Sequence, residues 1–157
     1  MTSENAAAKQ YDQLGGWLII PAILHPVAGI VYSIEAAAKM FPLFSDKLPF
    51  GTQIFVLSIG LGAVALAIGW LAALYHACSI NPFFPKFYIW MMAISIAGPL
   101  AANAISFYAY NAGPDESDWK VIAKAFAVAC VWVPYILVSK RVKATFYGIP
   151  FPSKAPQ

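Results

Sequence analysis

The sequence predicts an all-α, polytopic membrane protein whose four transmembrane helices, over about 14–39, 54–80, 87–108 and 119–143, form an antiparallel bundle. Three observations carry that expectation. From Leu48 to Pro85 there is no Asp, Glu, Lys or Arg, and a helix through that run is long enough, at about 1.5 Å per residue, to cross a hydrocarbon core of roughly 30 Å. Hydrophobic residues make up 61% of the chain and charged ones 11%, against roughly 45–50% and 25% in a soluble domain. Three further stretches are apolar in the same way: the runs between Asp12 and Glu35, from Tyr88 to Tyr108, and from Val121 to Val138.

The first run opens with Leu14-Gly15-Gly16-Trp17 and is interrupted by Pro21 and by His25-Pro26. A kinked spanning helix is expected, packed against neighbours, because proline in lipid frees carbonyls that other groups must satisfy. Glu35 and Lys39 stand four apart in the order that favours an ion pair, which extends the helix to Pro42. No basic segment or small-residue cleavage site precedes this run, so the first span is expected to stay in the mature protein. The connection from Met40 to Phe50 carries Phe41, Phe44 and Phe50 and either lies in the headgroup layer or forms an ordinary short loop.

The second span holds two rows of small residues at four-residue spacing, Ser58 with Gly62 and Ala65 with Gly69, Ala73 and Ala77. Such rows let backbones approach closely in lipid, within one chain or at a dimer face. Asn81-Pro82 ends it, and the short link to Phe87 makes a tight hairpin with the third span. That span carries Ala93, Ala97 and Ala101, a Gly98-Pro99 kink, and Trp90 and Tyr108 as interface anchors. Asp115 or Ser117 is expected to cap the fourth span, with acids at its positive end. Lys124 enters that span near its edge, where it can snorkel to the headgroups or serve an ion path. The helix is then expected to run on through Ser139, Lys140, Arg141 and Lys143. The organisation is thus an N-terminal tail over 1–13, a membrane domain over 14–147 and a proline-containing tail over 148–157.

Four spans place both termini on one side, with Lys9, Lys86, Lys140, Arg141, Lys143 and Lys154; Lys39, Lys47, Lys120 and Lys124 fall on the other. The positive-inside rule puts the first group in the cytoplasm. No basic face suited to nucleic acid is visible. Cys78 and Cys130 have no redox or metal-ligand spacing. Paired carboxylates, HExxH and Gly-x-Ser-x-Gly are all missing, so neither catalysis nor a cofactor is expected. His25 and His76 sit in spans at different depths, which suits helix-packing hydrogen bonds better than a shared haem or metal. With Asn103 and Lys124 they are the candidate polar groups within the membrane.

Leu14-Gly15-Gly16-Trp17-Leu18, together with Trp132-Val133-Pro134-Tyr135 and the stretch Ser139 to Phe146, resembles the bacterial family of small four-span membrane proteins catalogued as domain of unknown function 2569. The resemblance covers about Leu14 to Tyr147. It implies a bacterial inner-membrane protein and no established activity. Since both ends of the domain are expected at one face, Gly15, Gly16 and Trp17 can meet Ser139, Lys140, Arg141 and Lys143 there. That candidate site suits anionic phospholipid or an acidic segment of a protein partner. The alternative is a small solute or ion transporter working as a homo-oligomer.

Overall fold

The computed structural model describes Leu14 and residues 16–149; the expected tails lie outside the described residues except for Gly148 and Ile149, and so does Gly15. A 3-10 turn, Gly16–Leu18, and a π-helical segment, Ile20–Leu24, lead into α1, His25–Met40, which closes with a second 3-10 turn, Phe41–Leu43. Four more helices follow: α2 over Phe50–Cys78, α3 over Phe84–Tyr110, α4 over Glu116–Val138 and the short α5 over Lys140–Tyr147. Four segments are long and apolar enough to cross a membrane: Gly16–Leu43 and the helices α2, α3 and α4, with 28, 29, 27 and 23 residues. The four expected spans are present, the middle two longer by a few residues at one or both ends.

Helices adjacent in sequence pack together, α1 most extensively on α2, then α3 on α4 and α2 on α3, while α5 touches α3 and α4. Large apolar side chains such as Ile54, Leu57, Leu61, Val64, Ile68, Leu71 and Tyr75 make one exposed stripe along α2. Their spacing of three and four residues marks a single helix face, and in a spanning helix that face belongs to lipid.

The entry to α1 shows why the first span is irregular. Pro21 and Pro26 each lack an N–H, so neither helical register can satisfy every carbonyl between them. The chain widens instead, and the His25 N–H bonds the carbonyl of Ile20, five residues back. Such bulges are frequent at functional sites.

Helix ends follow local chemistry, with one exception. Asp115 caps α4 by accepting from the Asp118 N–H at 2.9 Å, while the Asp118 carboxylate accepts from the Asp115 N–H at 3.1 Å. Ser117 is not the cap. After α2 the Asn81 N–H reaches the His76 carbonyl and the Ile80 N–H reaches Ala77, the paired bonds of a Schellman ending. The residue in the left-handed position there is Ile80, at φ 51°, where glycine or asparagine would be at ease and a β-branched side chain is crowded. Ile80 packs against the buried core, and that contact opposes the strain.

Two local expectations fail. The fourth span does not continue to 143, because Ser139 turns to ψ 120° and starts a new helix, its hydroxyl accepting from the Val142 N–H at 3.4 Å. The bend buries Val142, Thr145 and Phe146 on one side of α5, with the Phe146 ring 4.9 Å from that of Phe84 at the start of α3. Glu35 and Lys39 do not pair either; among the described residues the ion pair is Lys120 with Glu116, at 2.8 Å. An exposed pair gains only a few tenths of a kcal/mol (~0.3–0.5), too little to fix two long side chains.

Candidate functional site

Both ends of the membrane domain meet at one end of the bundle. Leu18 and Ala22 from the first span share a buried cluster with Ala73 and Ala77 of α2, Phe84 and Tyr88 of α3, Ile136 of α4, and Val142 and Phe146 of α5. Beside it the Arg141 guanidinium lies over the backbone of Gly16. A Cβ on Gly16 would stand 3.1 Å from Nη1 of Arg141, and Gly16 has φ +58°, a conformation costly for any residue with a Cβ. The Nε of Arg141 is buried and makes no hydrogen bond among the described residues.

Among the residues the sequence singled out here, Gly16 and Arg141 are in direct apposition and Ser139 is the N-cap of α5. Lys140 and Lys143 are exposed on the same short helix, and the Trp17 side chain is 73% exposed. The result is a cationic rim around an enclosed apolar floor. Electrostatically the rim is one-signed, since no described acid lies within ion-pairing distance of it.

The intramembrane candidates separate into two clusters. His25 Nδ1 is 2.6 Å from the Tyr88 hydroxyl, joining the first and third spans. The indole of Trp70 stands edge-on to both, with centroid distances of 5.0 Å to His25 and 5.9 Å to Tyr88. Gly29 makes room for that indole, because a Cβ there would lie 2.7 Å from it. His76 is set among Tyr75, Phe83 and Phe87, with centroids 5.5–5.6 Å away, and its Nδ1 is buried without a partner among the described residues. Asn103 is half-buried and hydrogen-bonds to no described residue, whereas Lys124 is exposed on the outside of α4. No group of three metal-binding side chains occurs among the described residues.

Sequence reasoning missed Tyr88 and Trp70. Tyr88 is fully enclosed, and a phenol in a spanning helix must find a partner. His25, as one of few polar groups in the first span, was the available partner. That complementarity was the signal, but it required knowing which faces of two apolar helices meet.

Residues 11–147 match the model of a protein family described as protein of unknown function, DUF2569. The chain belongs to that family. Neither the curated proteins nor the solved structures compared with it gave a match. The DUF2569 match takes in all four spans and ends with Tyr147, the last residue of α5, so the short basic helix lies inside the matched region.

Proposed function

We propose that this DUF2569 protein is a non-catalytic module of the bacterial inner membrane, with the Gly16–Arg141 end of its bundle in the cytoplasm, where it contacts anionic lipid or an acidic partner, another copy included. The observation that carries this reading is α5. Its apolar side is enclosed and its Lys140 and Lys143 are exposed, the form of a helix lying in the headgroup plane and facing anionic surface with its cations. The six-to-four distribution of Lys and Arg supports the orientation.

The test is the combined change Lys140→Gln, Arg141→Gln, Lys143→Gln. Anionic lipid co-purifying with the altered protein should fall well below that of the unaltered one, while reporters fused at the two termini still report the same compartment. Equal lipid retention and unchanged partner recovery would remove the reading.

The part-buried hydrogen bond between His25 and Tyr88, beside a π-helical segment, favours a second reading: a small transporter or channel working as an oligomer. Proton-driven flux in proteoliposomes that disappears in His25→Ala would establish it. Absence of flux from the unaltered protein, across a panel of ions and small solutes, would remove it.

A further inference from the structure

Three cations, Lys140, Arg141 and Lys143, occupy three of the first four positions of α5. That is the end of a helix where the aligned peptide dipoles already make the potential positive. Each of the three therefore opposes the local field, and no acidic side chain among the described residues pairs with them.

Lys140 and Lys143 are exposed and can turn to water. Arg141 is held. Its Nε is buried with no acceptor among the described residues, and a buried ionised donor left unpaired is costly. Gly16, at φ +58° and without a Cβ, lets the guanidinium come down onto the backbone, where Nη1 would stand 3.1 Å from any Cβ placed there. The guanidinium plane is thereby fixed by the opposite end of the chain. A planar fork held in one orientation is suited to a two-oxygen acceptor.

We infer that Arg141, seated on Gly16 beside the first turn of α5, is a binding site for one phosphate group, carried by an anionic lipid headgroup or free in solution. The inference deepens the proposed lipid-facing role of this end and rests on that reading. Phosphate fits because it offers two oxygens to the fork and a further oxygen to Lys140, and because its charge relieves the one-signed cluster. The exposed Trp17 next to Gly16 places the site at the level where headgroup phosphates lie.

The experiment measures the thermal midpoint of the full chain in uncharged detergent, titrated separately with inorganic phosphate, short-chain phosphatidylglycerol and short-chain phosphatidylcholine. A saturable rise with phosphatidylglycerol but not with phosphatidylcholine or inorganic phosphate assigns the site to lipid; a rise with inorganic phosphate too assigns it to phosphate as such. Arg141→Gln should raise the half-saturating concentration by about tenfold or more, and Arg141→Lys should recover only part of it, since it restores charge but not the fork. Gly16→Ala keeps the net charge and should also weaken binding, which covers the case in which Arg141→Gln fails to fold. No rise with phosphatidylglycerol or phosphate, or an unchanged half-saturation in a folded Arg141→Gln, overturns the site. If Lys140→Gln with Lys143→Gln abolishes anionic-lipid retention while Arg141→Gln leaves it intact, the site falls and the broader lipid-facing role stands.

Discussion

At the end of the bundle that carries Gly16 and Arg141, the side chains of Leu18, Ala73, Ala77, Phe84, Tyr88 and Val142 are fully enclosed, whereas α3 has no buried residue after Met92. The same helix thus passes from a packed half into a half that lines the outside. In water this gradient would mean an unfinished core. In lipid it means something else: tails are as apolar as leucine, so burial gains nothing from escaping water, and helices stay together where shapes fit and polar groups pair. The enclosed half has both. Trp70 rests on Gly29, Met91 lies against Gly69, and His25 bonds Tyr88. In the other half Gly60 still packs against Phe41, but Gly62 and Gly98 have nothing near the position a Cβ would take, and Ala93, Ala97 and Ala101 are exposed.

Glycine-to-alanine changes sharpen this contrast most strongly. Gly29→Ala should cost about 1–3 kcal/mol as an overpacking change against a rigid ring, read by SDS-titrated unfolding in mixed micelles. Gly69→Ala should cost less, because its neighbour is the flexible end of Met91. Gly62→Ala and Gly98→Ala should be neutral or gain about 0.5–1 kcal/mol from the helix preference of alanine. Equal effects at Gly29 and Gly62 would dissolve the difference between the two halves.

Next in size is the polar pair. Tyr88→Phe should cost about 0.5–2 kcal/mol, the range of hydrogen bonds between spanning helices, and a cycle with His25→Phe should show coupling. Asn103→Leu, at a residue with no described hydrogen-bond partner, should change stability little. Coupling absent from the first pair would mean that shape alone holds the packed half.

The smallest effect concerns the start of α4. The Ser117 side chain and the Asp118 N–H bond the Asp115 carboxylate and hold its pKa below the ordinary aspartate value. A depressed value in the folded protein means the cap is complete above the ordinary range and is lost as pH falls through the lowered one. The Asp118 amide resonance should therefore titrate with a midpoint below that of a free aspartate. In Asp115→Asn, which keeps an acceptor at the cap, the titration from this residue should vanish.

How much of this could be read from residues alone follows the same division. The spans were legible because a water-soluble fold seldom tolerates so long a run without a charge, and the α4 cap because acids precede an apolar run. The side of each helix that packs was not. A span that is apolar all round has no polar face to orient it, so the row Gly69, Ala73, Ala77, which is packed, and the row Ser58, Gly62, which is open, look alike in sequence. The break at Ser139 escaped for a related reason. Lys140 to Tyr147 continues the helical pattern, and only the place offered to Phe146 beside Phe84 makes bending favourable. At the candidate site, the shared end of Gly16 and Arg141 was legible from the number of crossings; the seating of a guanidinium on a glycine was not.

Ile80 has a bearing on the order in which the bundle is made. Its left-handed backbone costs about 1–2 kcal/mol, and what offsets this is contact with a cluster built partly from Leu18, at the start of the domain, and from Val142 and Phe146, at its finish. A ribosome delivers those last two residues after every span has emerged. The central hairpin is therefore synthesised early and secured late, and a chain truncated before α5 should leave the α2–α3 turn more open to proteases than a chain that retains α5.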